Sequence, residues 1–410
     1  MAPGLLLALS CLPACSRDAR ERAPIPASML RPVRAELEAI ARAAAASRPA
    51  SADSRQQAEV ADLLVTAYGG SAGGRAAKTA EASLADFAPA ALVPALESML
   101  ADDHAGVRGQ CAWRLGRLGS RASILPLLLR LKYEKDAEPR LWVADALARL
   151  GNDTALPELV AAMRKDDLAQ TAGALAFEIL KSRGTDPGQQ PSYARLAEGL
   201  ASTHAHWLAE GAVAGDPAPD GALVARIAQT LLLLDGSQLR QVDDARYVVQ
   251  RCGRASLGPL RLALQSDETY LRNHALEITR DLGRPGRELE RTVLPLLGDR
   301  MSAPYAAAAL GATCARTAAP LLLAARQRGD TELRAAIAQA LGPCGDPASV
   351  PALEAWLADA RCPLDERVGA AFSLELLKPG AGGRAFLEQR LAARDYHEPT
   401  LRELLGKLPR

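Results

Sequence analysis

His204 and His206, in the run STHAHW, are the only close His pair in the chain. A bound ion wants two further ligands on neighbouring elements, and an i,i+2 spacing on a helix turns the two rings to different faces. The pair therefore reads as surface polar residues beside Trp207, and no metal ligand is assigned. His397 and Glu398 form the single His-Glu dipeptide. The stretch GGSAGGRAAKT, Gly69 to Thr79, looks like a phosphate-binding loop until its register is checked. Such a loop needs Gly directly before the Lys and another five residues earlier, and Ala77 and Ala72 stand there. Neither a Ser-His-Asp order, nor a nucleophile elbow, nor a Gly-rich dinucleotide loop is present. No catalytic or cofactor-binding residue is assigned, no cofactor is expected, and the chain is expected not to be an enzyme.

Between Arg108 and Lys135 seven basic residues (Arg108, Arg114, Arg117, Arg121, Arg130, Lys132, Lys135) face the single acid Glu134. This local patch reads as a solvated rim rather than a nucleic-acid contact, because the chain as a whole supplies no field. Its formal charge is +1, from 49 basic and 48 acidic residues. No nucleic-acid partner is expected, and an acidic lipid, glycan or protein surface is the anionic alternative.

The first residues address compartment. LLLALSCLPA is an apolar stretch ending in a small residue before Cys15, too short to span a bilayer. Leu12, Pro13, Ala14 and Cys15 resemble the lipobox of bacterial lipoproteins, in which the Cys is lipid-modified after cleavage before it. Pro13 and the lack of a basic residue ahead of the apolar run depart from that pattern. The resemblance implies a signal peptide over 1–14, a lipid on Cys15, a tether over 15–27 and a place in the cell envelope, with Ser16 pointing to the outer membrane. The alternative is a greasy N-terminus on a cytoplasmic protein. Five cysteines then remain, Cys111, Cys252, Cys314, Cys344 and Cys362, with no zinc-type spacing. Cys314 and Cys344 fall in similar turns of successive units and are expected to be the pair that could form a disulfide.

These residues must sit on helices. Nearly half of the 410 residues are apolar but only 4% aromatic, so Ala and Leu carry the burial, as in closely packed helices. Two helices are expected near 28–47 and 52–68, then a flexible link over Gly69–Thr79. From about residue 84 the chain repeats. Prolines stand near the start of apolar helices in ALVPALESML, SILPLLLRL, TALPELVAAM, TVLPLLG and SVPALEAWL. Pro94, Pro126 and Pro157 are spaced by 32 and 31 residues, and Pro320 to Pro351 is again 31. Proline suits a first helical turn, and Gly119, Gly151, Gly283 and Gly345 close the second helix of each unit as C-caps.

An Arg column aligns the second helices: Arg108, Arg140, Arg272, Arg334 and Arg367, with Ala303 at that place in one short unit. Three positions on stand Cys111, Val143, Ala275, Ile337 and Ala370; seven on stand Leu115, Leu147, Thr279, Leu341 and Leu374. These columns are the expected buried stripe. The arginines are expected to be buried and paired with carboxylates.

The Pro-bearing first helix, the acidic turn and runs such as AIAQALGPCG, Ala336 to Gly345, resemble the short, bacterial-type HEAT-like repeats, over roughly residues 84–395. The resemblance implies an all-α fold, a right-handed α-solenoid of stacked antiparallel helix pairs. The layout expected is N-terminal helices and a Gly-rich link over 28–80, repeats over 81–184, irregular helical units with a loop over 185–236, and repeats with a C-terminal cap over 237–410. Deoxyhypusine hydroxylases, a HEAT-type enzyme class, hold two irons through several His-Glu pairs, and one pair cannot build that site. Phycobilin lyases carry similar repeats, with no diagnostic residue found here.

Positions two, five and nine after the Arg vary in chemistry and share one helical face, which is expected to be exposed. They read Gln110, Trp113, Arg117; Trp142, Asp145, Arg149; His274, Glu277, Asp281; Ala336, Gln339, Pro343; Gly369, Phe372, Leu376. The resemblance makes this the concave side. Trp113, Trp142, Asp145, His274, Glu277 and Phe372 are therefore the expected contacts for a protein or peptide partner. The alternative for Trp113 and Trp142 is that they cover neighbouring helices. The expected function is a non-catalytic protein-binding scaffold in the envelope; the alternatives are a cytosolic HEAT-type enzyme or a nucleic-acid-binding array.

Overall fold

The computed structural model describes residues 30–47, 54–70, 74–165, 167–213, 220–234, 239–327 and 329–409. The Leu12–Cys15 signal and the tether up to residue 27 lie outside them. Among the described residues there are 22 α-helices, no strand, and one isolated bridge between Arg31 and Ser266. The molecule is all-α, as the repeat pattern predicts.

The chain divides into two compact parts. The first, Val33–Leu262, carries α1 (Arg34–Ser47), α2 (Ser54–Tyr68), α3 (Arg75–Ser83), α4 (Pro89–Met99), α5 (Ala105–Leu118) and α6 (Ile124–Tyr133). It continues through α7 (Ala137–Arg149), α8 (Leu156–Ala162), α9 (Ala169–Ser182), α10 (Tyr193–Glu210), α11 (Gly221–Leu231) and α12 (Leu239–Gln250). The helix α13 (Leu257–Leu264) ends where the second part, Ala263–Arg410, begins. That part holds α14 (Thr269–Leu282), α15 (Glu290–Val293), α16 (Ala303–Ala312), α17 (Ala319–Arg326) and α18 (Thr331–Cys344). It closes with α19 (Val350–Ala358), α20 (Leu364–Leu377), α21 (Gly383–Ala393) and α22 (Glu398–Lys407).

Pro157, Pro320 and Pro351 each lie at the first or second position of their helix, after a short 3-10 turn. Pro94 differs, because α4 already begins at Pro89 and takes it inside. Gly119 and Gly345 end α5 and α18 in the left-handed region, with φ of 71° and 73°. Eleven positions after the Arg column the same place in the short unit is held by Cys314, which adopts φ 56° without being glycine. Cys344 precedes its capping glycine by one residue, so the two cysteines are out of register. Both are free thiols, which corrects the expected disulfide. The link expected over Gly69–Thr79 is shorter than predicted, since α3 already begins at Arg75.

The stripe columns are buried: Cys111, Val143, Ala275, Ile337 and Ala370 are all at 0% exposure. Four of the five arginines staple their unit to the next, Arg108 and Arg272 buried and Arg140 and Arg334 half-buried, while Arg367 departs from the expected carboxylate pairing and donates to the Leu357 carbonyl. Arg108 donates through Nε and Nη2 to Glu134 at 2.9 and 3.0 Å, and through Nη1 to the Asp102 and Asp103 carbonyls at 2.9 Å. Arg140 repeats this with Glu158, two bonds of 2.8 Å, and the Leu131 carbonyl. Arg272 reaches Asp299 and the Ser302 hydroxyl at 2.9 Å, and Arg334 pairs with Glu366 at 2.7 Å. One planar fork thus satisfies the orphan carbonyls at the end of its own first helix and a carboxylate from the following unit, which is why Arg rather than Lys holds the column.

A second device spaces the second helices. A Cβ at Gly116 would stand 2.7 Å from the Ala146 Cα, one at Gly311 2.7 Å from the Ala340 Cα, and one at Gly342 2.5 Å from the Ser373 Cα. In each case the glycine is eight positions after the Arg register and the small residue six after the next, so bare backbone lets the helices close up. At Gly342 the contact also repairs a helix. Pro343 lies inside α18 and has no N–H to offer the Gln339 carbonyl. The buried Ser373 hydroxyl enters the gap, accepting from the Gly342 N–H at 2.9 Å and facing the Ala338 and Gln339 carbonyls at 2.5 and 3.1 Å.

The first part does not continue as a simple row. α1 packs on α11, far along the chain, rather than on its sequence neighbour. Arg226 on α11 reaches Glu97 on α4 at 2.8 Å and the Ala122 carbonyl at 3.0 Å. Lys132 on α6 pairs with Asp244 on α12 at 2.7 Å, and Asn152 donates to the Arg251 carbonyl at 2.7 Å. The irregular helices therefore fold back along the earlier repeats.

Candidate functional site

The face built by α5 and α7 in the first part carries three of the six expected contact residues. Trp142 lies across α5, its Cδ1 3.0 Å from where a Cβ at Gly109 would stand. Trp113 is one turn further along α5. The Arg117 guanidinium stacks over its ring at 4.3 Å, with Arg114 at 5.8 Å on the same ring. Arg114 also donates to the Tyr68 hydroxyl at 2.9 Å. Both tryptophans are half-buried rather than exposed, Trp142 lying on the neighbouring α5 and Trp113 under arginines of its own helix.

Asp145 departs from expectation, because it is completely buried. It sits beside Ala146, the residue pressed against Gly116, and the closeness of the helices there sinks it. Arg149 Nε donates to its Oδ2 at 2.8 Å, and its Oδ1 has no hydrogen-bond partner. Burial pushes its carboxyl above the usual range, against the pull of Arg149 and Arg117 and with Glu178 of α9 adding to the push. Arg117 and Arg149 themselves are exposed, at equivalent places of successive units. Among the described residues Arg117 has no hydrogen bond or ion pair.

The other expected contacts belong to the second part. On α14, His274 Nδ1 and Glu277 Oε2 lie 3.0 Å apart, both half-buried, in the second part. Phe372 is core, at 4% exposure among Val368, Ala371, Leu387, Leu401 and Leu404. The reason is its place on α20, the last second helix of the row, whose open face is covered by α21 and α22. Gly369 on the same helix is likewise buried.

Three of the seven residues in the basic run are paired with acids. Arg108 and Arg130 share the buried Glu134, with Arg130 Nε 3.0 Å from Oε2, and Lys132 belongs to Asp244. Burial alone would raise the Glu134 carboxyl, but hydrogen bonds from Arg108 and the Asp136 N–H, with Arg130 alongside, bring it below its ordinary value.

The histidine run also divides. His204 Nδ1 lies 2.8 Å from the Asp153 carbonyl, while His206 faces a cleft of about 470 Å³ bordered by Asp153, Ser182, Arg183, Ser202 and Thr203. Arg183 spends its Nη2 on Asp153 and on the Ala148 carbonyl. Among the described residues no group of three or more His, Cys, Asp or Glu could hold a metal ion. His397 and Glu398 are exposed at the start of α22, engaged with Thr400 and Arg402. No helix of the described residues is long and apolar enough to cross a membrane.

The sequence reading missed the glycine spacing device, although Gly116, Gly311 and Gly342 share one column of the Arg alignment. It also missed that Arg117 lies over Trp113 without a hydrogen bond or ion pair among the described residues, which composition cannot show.

Two family models match the chain, HEAT repeats over residues 93–179 and PBS lyase HEAT-like repeat over residues 333–359. The chain carries HEAT-like repeats and is an all-α repeat scaffold. No curated protein matches it. Among the solved structures that do match is human deoxyhypusine hydroxylase in complex with glycerol, 19% identical, covering 86% of this chain and 95% of that one, with a TM-score of 0.22. That match corrects the expectation that the chain is not an enzyme, since a HEAT-repeat enzyme is among its structural matches. At that TM-score the likeness brings no reaction or site to this chain.

Proposed function

We propose that the chain is a repeat scaffold that binds a protein or peptide partner on the α5–α7 face, held in the cell envelope by a lipid on Cys15. The observation that carries the binding reading is the pair Trp113 and Trp142, set side by side on second helices and each only half-covered. Aromatic residues with a solvent edge and a fixed ring supply contact area at little entropic cost, and in a chain so poor in aromatics their pairing is unusual. The Arg column does not compete for this role, because its guanidinium groups are consumed inside the stack. Within the HEAT resemblance second helices line the inner side, which suits an elongated partner laid across them.

The binding reading is tested by site-specific photo-crosslinking from position 110, next to both tryptophans, in whole cells. A discrete adduct that disappears in Trp113→Ala supports it; an adduct unchanged by that variant removes the face from the binding role. The envelope reading has its own test. Cys15→Ser is expected to abolish lipid labelling and leave the precursor uncleaved, and a wild-type chain recovered unlabelled from the cytoplasm with its N-terminus intact would dispose of the anchor.

A further inference from the structure

We propose that the α5–α7 face receives an extended acidic segment, with carboxylates at alternate positions bound by Arg117 and Arg149; this rests on the binding reading above and names the chemistry of its partner. The argument starts from charge that the fold leaves unspent. Every Arg of the column is matched by a carboxylate or carbonyls, whereas Arg117 has none among the described residues and is instead held flat over Trp113 at 4.3 Å. A guanidinium stacked on an indole keeps its N–H edge free and pre-oriented, the arrangement that grips a carboxylate with little further ordering.

Arg149 offers the neighbouring grip. Its Nε is given to Asp145, but that acid lies wholly below the surface, so the outer edge of the Arg149 guanidinium still faces solvent. The pairing of Gly116 with Ala146 brings the two helices close, which sets Arg117 and Arg149 about one helix spacing apart, ~8 Å. Alternate side chains of an extended peptide are ~7 Å apart, so two acids separated by one residue match the two arginines. The residue between them and the two that flank the pair point the other way. On the α9 side Lys181 is exposed at the same spacing along the chain, one turn from the exposed Glu178 that lies within the electrostatic reach of Asp145.

A nucleic-acid strand is the competing occupant of any Arg and Trp surface. It is disfavoured here by Glu178 and by the pairing of Arg108, Arg130 and Lys132 with acids.

The test uses the full-length chain and fluorescein-labelled dodecapeptides of alternating Thr-Glu, Thr-Gln and Thr-Lys, with a labelled dT12 oligonucleotide, followed by anisotropy at low ionic strength. The expected result is binding of the Thr-Glu peptide at least tenfold tighter than of the other two. Arg117→Gln, which breaks no ion pair of the fold, is expected to weaken Thr-Glu binding about fivefold and leave the Thr-Gln peptide unaffected, with Arg117→Lys recovering part of the loss. Equal affinity for Thr-Glu and Thr-Gln, no effect of Arg117→Gln, no Thr-Glu binding at all, or tighter binding of dT12 each overturns the proposal. If the crosslinked adduct depends on Trp113 but not on Arg117, the scaffold reading stands and the acidic ligand falls.

Discussion

The two parts of the chain use the same repeat and end up held together differently. In Ala263–Arg410 the strong contacts run between neighbours: Gly311 against Ala340, Gly342 against Ser373, and Arg326 and Arg334 both on Glu366. In Val33–Leu262 the same neighbour contacts are crossed by ties between distant positions, Arg226 to Glu97, Lys132 to Asp244 and Asn152 to the Arg251 carbonyl. A row of repeats buries its core through adjacent interfaces alone. The first part adds a return path because its last helices lack the spacing to continue the row and bury their apolar sides against helices already formed. It is also the part that carries the half-buried pair Trp113 and Trp142, with Arg117 over the first of them.

If neighbour contacts dominate the second part, filling one should damage it most. Gly342→Leu drives a side chain into the Ser373 backbone and is expected to cost about 3 kcal/mol, read as a lower denaturant midpoint. An unchanged midpoint would mean the row is looser than described. The return path of the first part is probed by Arg226→Met, which leaves Glu97 with only the Ser123 hydroxyl. A loss of about 1–2 kcal/mol is expected, with faster amide exchange confined to α4 and α11. Equal acceleration throughout α14–α20 would show that the ties are not local.

Asp145 sharpens the comparison through its charge. Its folded carboxyl titrates above the unfolded one, so the protonated state is favoured by folding, and stability from this group is present at low pH and lost as pH rises through the folded value. Asp145→Asn keeps the shape and removes that cost. It is expected to stabilise by about 1 kcal/mol at neutral pH, with the gain shrinking to nothing in acid, once folded and unfolded wild type are both protonated at this group. A gain independent of pH would assign the effect to packing. The smallest effect belongs to the second part. Cys314→Gly relieves a left-handed backbone at the capping place and should raise stability by about 0.5–1 kcal/mol. A fall in melting temperature would mean that the Cys314 side chain contributes more than its backbone costs.

Much of this was legible in the residues. The period of about 31, the buried stripe and the pairing of the Arg column all follow from local pattern, because neighbour stacking makes spatial proximity a function of sequence spacing. The face assignment was legible only in part, and its failures have distinct causes. Asp145 is buried because two glycine-spaced helices draw together over it, and Phe372 because terminal helices without the repeat pattern cap the row. The packing of α1 on α11 leaves no periodic trace. A contact between segments related by no register depends on shape, which a single sequence does not spell out.

The Ser373 hydroxyl lodged in the backbone of α18 bears on the order of assembly. Helices in a repeat row are ordinarily complete before they dock, so each interface forms between finished partners. Here the hydrogen-bond ladder of one helix contains a rung contributed by the next, since Pro343 cannot supply it. α18 therefore reaches its full ladder only after α20 has arrived, and α20 gains its anchor only once α18 has bent to admit it. The two helices are expected to appear and vanish together in a refolding experiment, turning what would be a chain of separable steps into a single cooperative block at this point in the row.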